Sequence, residues 1–257
     1  MSNIKRAFEH GKAFIAFITC GDPDLVTTAA CVRAAVKGGA DLIELGIPFS
    51  DPTAEGPVIQ AANERALKGG VTTDKIFEMV KELRRDITVP MVFMTYANVV
   101  YSYGIERFCD RCVETGIDGM ILPDVPFEEK EEFAPACRAR GLAFISLIAP
   151  TSEHRVAMIA KEAEGFLYIV SSMGVTGVRS EITTDIGAMV KLVRENTAIP
   201  CAVGFGISTP TQAKRMADLS DGAIVGSAIV RLIAEHGKDA PESVCKYVRS
   251  MKEGIRA

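Results

Sequence analysis

Two glutamates fall where charge is not expected. Glu44 lies in Asp41-Leu42-Ile43-Glu44-Leu45-Gly46, inside a run apolar enough for a buried strand. A carboxylate there must point into a pocket mouth or be neutralised, because burying an unpaired ion is costly. Desolvation raises its pKa and makes it a candidate proton shuttle. The competing use is a structural carboxylate that pins a loop through backbone amides. Glu55 follows eleven residues later, in Asp51-Pro52-Thr53-Ala54-Glu55-Gly56-Pro57. Two carboxylates facing one pocket permit acid and base roles on the same substrate. Taken alone, Glu55 is a weak signal, because most loop carboxylates are simply solvated.

A second chemistry is anion binding. Gly177, Gly204, Gly206 and Gly226 fall in three loops and let backbone amides approach a phosphate. Ser227 reads as the cap of a helix whose N-terminus favours negative charge. The plainer use of these glycines is to turn the chain. Tyr168 lies inside an apolar run, so its hydroxyl either faces the pocket or packs with a partner in the core. Phe17, Ile59, Met94, Tyr96 and Phe205 offer apolar walls. His10, His154 and His236 fall away from the expected strand ends, which leaves Ser/His nucleophilic chemistry without support. Together these residues point to a lyase or isomerase that transfers protons on a phosphorylated, partly apolar substrate, without a metal.

These groups need a frame. Strands are expected over Ala13–Thr19, Leu42–Gly46, Pro90–Thr95, Gly119–Pro123, Ala143–Ile148, Phe166–Val170, Pro200–Gly204 and Gly222–Val225. A helix-period segment follows each, among them 25–37, 59–67 with 73–85, 105–114, 128–140, 152–163 and 186–195. Thr209-Pro210-Thr211-Gln212 combines an N-cap, a first-turn proline and a third-position Gln. Helices at 228–236 and 242–251 end the chain. The spacing is about 32 residues per unit, the usual size in a closed (β/α)8 barrel. The strands lack clean alternation, as expected when both faces are buried. A doubly wound sheet would carry Gly-x-Gly-x-x-Gly after its first strand, where Cys20-Gly21-Asp22-Pro23 stands. In a barrel the site lies at the C-terminal strand ends. Two long loops there, Phe49–Pro57 and Ser171–Asp185, read as lids or interaction loops.

Composition agrees with a single domain spanning residues 1–257. Hydrophobic residues make up 48% and charged residues 24%, which excludes a disordered or collagen-like chain. A net charge of −4 argues against a broad nucleic-acid surface. Met1–His10 lacks an apolar signal core, and the longest charge-free run, 87–105, is broken by Pro90, Asn98 and Gly104. A cytoplasmic protein is expected. Seven scattered cysteines include Cys109 and Cys112 one helical turn apart; no second pair completes a zinc site, so structural thiols are expected.

The segments Leu42-Ile43-Glu44-Leu45-Gly46-Ile47-Pro48-Phe49-Ser50-Asp51-Pro52, Gly21-Asp22-Pro23, Tyr96-Ala97-Asn98, Asp124-Val125-Pro126, Gly174-Val175-Thr176-Gly177, Gly204-Phe205-Gly206-Ile207-Ser208 and Gly226-Ser227-Ala228 together resemble the tryptophan synthase alpha chain family. The resemblance implies a (β/α)8 TIM barrel with extra N-terminal and C-terminal helices. It implies retro-aldol cleavage of indole-3-glycerol phosphate to indole and glyceraldehyde 3-phosphate, with no cofactor in this chain. A beta chain carrying pyridoxal phosphate would be the partner, in an alpha-beta-beta-alpha complex. Glu44 aligns with the family's catalytic glutamate and Tyr168 with its pocket tyrosine. Thr176, Gly177, Phe205, Gly206, Gly226 and Ser227 align with its phosphate site and the loops beside it. Phe17, Ile59, Met94, Tyr96 and Phe205 would enclose the indole. The chain departs from the family at Thr53, usually Leu, at Glu55, usually the Asp on the indole nitrogen, and at Ser172 and Met173, usually Arg and a small residue. A second expectation therefore stands beside the lyase: a catalytically weak subunit that binds and activates the beta chain. A third, another phosphate-binding barrel enzyme, fits the text around Glu44 less well.

Overall fold

The computed structural model describes residues 3–170, 185–204 and 206–256. Nine parallel strands form one sheet: β1 Ala13–Thr19, β2 Leu42–Gly46, β3 Met91–Met94, β4 Gly119–Ile121, β5 Ala143–Phe144, β6 Leu147–Ile148, β7 Leu167–Val170, β8 Cys201–Gly204 and β9 Gly222–Val225. Their spatial order is β5-β4-β3-β2-β1-β9-β8-β7-β6. The two ends, β5 and β6, are halves of the run expected as one strand, 143–148. Between them Ile145 N–H donates to Met120 O at 2.9 Å, and Tyr168 N–H donates to Ser146 O at 3.1 Å. One interrupted strand therefore pairs on both sides, and the sheet closes as the expected barrel.

Both faces of the strands are buried, and successive side chains go to different places. In β1, Phe14, Ala16 and Ile18 pack outward against helices, while Ala13 and Ile15 fill the barrel interior. This explains the absent alternation: each face meets an apolar layer. The short 3-10 helix Asn3–Phe8 supplies Ile4 to the interior cluster, whose other members include Phe166, Ile145 and Leu42, and so plugs the N-terminal end. The C-terminal helix Ala240–Arg256 packs on helix Leu25–Gly38. Its Lys252, only 4% exposed, donates to Asp41 Oδ2 at 2.6 Å and to Lys12 O at 2.7 Å. Both extra terminal helices are thus present.

Two expected elements need correction. The helix expected over 128–140 is a 3-10 turn, Phe127–Glu132, followed by a short helix, Ala134–Arg138. Pro135 accounts for the break: it has no N–H to continue the ladder of the preceding turn, and it stands in the first turn of the second helix, where that loss is tolerated. The segment after β3, where no helix was expected before residue 105, forms the helix Ala97–Tyr103. Elsewhere the match is close, and Thr209 with Gln212 forms a reciprocal capping box with Pro210 in the first turn. Cys109 and Cys112 are buried free thiols on helix Ile105–Thr115. Among the described residues no helix is long and apolar enough to cross a membrane.

Candidate active site

The C-terminal mouth of the barrel holds a partly enclosed cavity. Strand register sets its floor. Phe17 of β1 lies level with Glu44 of β2, and Glu44 with Val92 of β3. Because Leu42 fills the interior below, the two-residue repeat aims Glu44 into the mouth above it. Phe17 and Ile59 pack together with Ala62 and Val230, against Met94, to form an apolar wall. Across the mouth stand Tyr168, Gly206, Gly226 and Ser227.

Glu44 is 1% exposed, and neither carboxylate oxygen has a hydrogen-bond partner among the described residues. Burial, reinforced by the charge of Glu55, pushes its pKa up to about 8. Glu55 is also buried, and burial raises it to about 7 against two opposing hydrogen bonds, from Asn63 and Tyr96. Asn63 Nδ2 donates to Glu55 Oε2 at 2.6 Å. The Glu55 backbone carbonyl accepts from Gln60 Nε2 at 2.7 Å, and Ala54 N–H donates to the Tyr96 hydroxyl at 3.2 Å. The loop residue that read as solvated when taken alone is thus built into the wall. The carboxylates differ in kind: Glu44 has burial without partners and keeps a proton at neutral pH, while Glu55 has donors that favour its charge.

Tyr168 is 5% exposed and lines the cavity. Burial and the nearby Glu44 charge hold its phenol well above the usual range, so it stays a neutral hydroxyl. Gly204 makes room for this tyrosine: a β-carbon there would stand 2.5 Å from the Tyr168 hydroxyl. At Gly226 a β-carbon would stand 3.3 Å from the Phe17 ring, so the residue also leaves room for that wall. Ser227 is not the cap that was expected. Gly226 occupies the N-cap position, Ser227 is the first helical residue of Ser227–His236, and no side chain caps this end. With no side-chain cap, this helix N-terminus beside the cavity suits an anion. Gly206, with φ +79°, also borders the cavity. Thr176, Gly177 and Phe205, with Ser172 and Met173, lie outside the described residues.

Residues 3–256 match the tryptophan synthase alpha chain family. The chain belongs to that family. A tryptophan synthase alpha chain from Lacticaseibacillus casei is 46% identical over 257 residues, covering 100% of this chain and 97% of the relative. Tryptophan synthase subunit alpha from Legionella pneumophila str. Paris is similar in structure, with a TM-score of 0.89 at 36% identity and coverage of 100% and 99%. A chain of the tryptophan synthase complex from Pyrococcus furiosus aligns with a TM-score of 0.85 at 34% identity, covering 95% and 99%.

Within this tryptophan synthase alpha chain fold, Asn63 is the residue that sequence reasoning passed over. It sits four residues after Ile59 on the helix Pro57–Lys68, and one turn of helix places both on one face. Its signal was a lone amide on a face otherwise made of Ile59, Ala62 and Ala66. Tyr96 was expected as an apolar wall; its hydroxyl proves equally important, tied to Ala54 and Glu55.

Proposed function

We propose that this chain is a lyase, the alpha subunit of tryptophan synthase, and that it cleaves indole-3-glycerol phosphate to indole and glyceraldehyde 3-phosphate. The observation that carries the proposal is the pair of buried, unequally partnered carboxylates on one apolar cavity. Retro-aldol cleavage needs one proton delivered to carbon 3 of the indole and one removed from the adjacent glycerol hydroxyl. Glu44, protonated at neutral pH, delivers the first. Its carboxylate then takes the second, and the acid is restored. The bond between carbon 3 and the glycerol carbon breaks, its electron pair returns to the ring, and the hydroxyl carbon becomes the aldehyde. A positioned acid/base of this kind typically contributes about 10²–10⁴ in rate.

Protonation of carbon 3 places positive charge on the ring nitrogen. Glu55 accepts the hydrogen bond from that N–H and stabilises the charge as it develops, where low dielectric strengthens the interaction. Tyr168 stays neutral beside Glu44 and serves as a donor there. Phe17, Ile59, Met94 and Tyr96 enclose the indole, with Phe205 proposed beside them. Gly206, Gly226 and Ser227 hold the phosphate, together with Thr176 and Gly177. Indole passes to a beta chain that carries pyridoxal phosphate, in an alpha-beta-beta-alpha complex in the cytoplasm. The structure of Pyrococcus furiosus tryptophan synthase described as a complex supports the partnership.

The test is indole release from indole-3-glycerol phosphate, with and without the beta chain. Turnover by wild type that Glu44→Gln abolishes supports the lyase. A wild type that is silent yet raises the beta chain's rate with serine and indole is a regulatory subunit instead. The placement of Glu55 in the cavity wall, held by two donors, favours catalysis over that second role.

A further inference from the structure

Glu55 is held at more points than a loop carboxylate needs. Its backbone carbonyl is fixed by Gln60, its side chain by Asn63 at 2.6 Å and by Tyr96, and the preceding amide by the same Tyr96 hydroxyl. Asn63 is itself 4% exposed and comes from a different element than Glu55. A buried amide is retained only where it finds a partner, since desolvating it unpaired is costly. Its donor is spent on Glu55 Oε2. Glu44, on the same cavity, receives no such donor among the described residues. The asymmetry therefore has an identifiable source in the wall behind Glu55 rather than in the cavity.

We propose that Asn63 and the Tyr96 hydroxyl form a two-donor clamp that fixes the direction and charge of the Glu55 carboxylate, acting on substrate only through it. Asn63 is a positioning residue and so is the Tyr96 hydroxyl, while the Tyr96 ring lines the cavity itself; the kinetic half of the proposal rests on the lyase reading above. The clamp sets which carboxylate is charged. The ionisable groups facing Glu55 are Glu44 from β2 and Tyr96 after β3; Tyr168 from β7 lies beside Glu44, and Asp124, after β4, acts on Tyr96. The described lining of the cavity contains no Lys, Arg or His. With no cation present, hydrogen-bond donation is what opposes desolvation at Glu55. Removing a donor should leave Glu55 neutral at a pH where it is now charged, and its nitrogen-stabilising role should fail first on the acid side.

The experiment uses the full chain as Asn63→Leu, Asn63→Ser and Tyr96→Phe, alone and in Glu55→Gln. The Glu55 carboxyl is followed by carbon NMR in glutamate-labelled protein and assigned by its absence in Glu55→Gln. Indole release is followed against pH with the beta chain present. Each single variant is expected to raise the Glu55 titration midpoint by about one pH unit. The acid limb of kcat/KM should move with it, and kcat should fall about tenfold or more while KM changes little. In Glu55→Gln the same substitutions should add nothing further. Should Asn63→Leu fail to fold, Asn63→Ser and Tyr96→Phe, which leave the backbone path intact, carry the test. An unmoved midpoint in folded variants, or equal losses with and without Glu55, overturns the clamp. If wild type releases no indole but the midpoint still rises, the clamp stands and the lyase reading falls. If wild type cleaves and the midpoint is unmoved, the clamp falls and the lyase reading stands.

Discussion

The Tyr168 ring occupies the space beside Gly204, where a β-carbon would stand 2.5 Å from the hydroxyl and 2.6 Å from the ring edge. Gly204 cannot gain a side chain alone, because β7 and β8 pair in fixed register and Tyr168 lies opposite Ala202. Gly204→Ala must therefore push the tyrosine off its rotamer. Overpacking of this kind costs about 1–3 kcal/mol. A chain of this size should lose roughly 2–4 °C in melting temperature for each kcal/mol. A calorimetric scan checks this, and Tyr168→Phe in the same background should recover only part of the loss, since the ring edge still collides. An unchanged melting temperature would mean that the ring has room to retreat.

Glu44 and Glu55 should make stability depend on pH in the direction opposite to ordinary carboxylates. Their pKa values rise from 4.5 to about 8 and about 7 on folding. Between those limits the folded chain binds more protons than the unfolded chain, so stability falls as pH rises. Their contribution is fully present below about pH 4.5, declines through neutrality and levels off above pH 8. Glu44→Gln cannot ionise, so its stability relative to wild type should improve from pH 5 to pH 9 by a few kcal/mol, at ~1.4 kcal/mol per pKa unit. Urea unfolding at several pH values measures the difference. A gap that stays constant with pH would show that Glu44 ionises as freely in the fold as in water.

Arg65 should matter for the site despite standing outside it. It meets Asp22 through two contacts of 2.8 Å, and Asp22 is 1% exposed. The pair ties the loop after β1 to the helix that carries Ile59 and Asn63. Breaking a buried pair from one side leaves a charge without a partner, at a cost of about 3–5 kcal/mol when both groups are buried. Arg65 is 41% exposed, so water compensates part of that. Arg65→Leu should destabilise by roughly 1–3 kcal/mol, visible as a lower urea midpoint at unchanged slope. Asp22→Asn, which leaves no buried charge, should cost less; the reverse order would place the stabilisation elsewhere.

The barrel was legible because its signals are local and repeated. Strand, polar loop and helix period recur about every 32 residues, and Glu44 announces itself as a charge inside an apolar run. The misses are long-range. The helix Ala97–Tyr103 starts with its Ala97 amide bound to both oxygens of Asp124 at 3.1 Å, a cap supplied from 27 residues away. No reading of Val99 and Val100 reveals it. The split of 143–148 into two strands reflects pairing with β4 on one side and β7 on the other, a property of closure and not of that segment. Ser227 looked like a cap by type, yet the backbone places Gly226 there. Asn63 has no motif of its own; its meaning comes from facing Glu55 across a turn.

Glu55 is one methylene longer than the Asp expected at its position, and the wall around it is fitted to that length. Asn63 reaches it at 2.6 Å from one side and the Tyr96 hydroxyl from another. Glu55→Asp withdraws the carboxylate by about 1.5 Å, the length of one carbon–carbon bond. Both donors then lose contact unless the loop follows, and Gln60 holds its backbone at 2.7 Å. Misplacement of about 1 Å at a reacting group can cost on the order of 10² in rate. Glu55→Asp should therefore lower kcat/KM for indole release by about 10- to 100-fold, with the larger share in kcat. The measurement is steady-state indole release with the beta chain at saturation. A gain in activity would mean instead that the longer carboxylate is the defect, and that the donors around it tolerate either length.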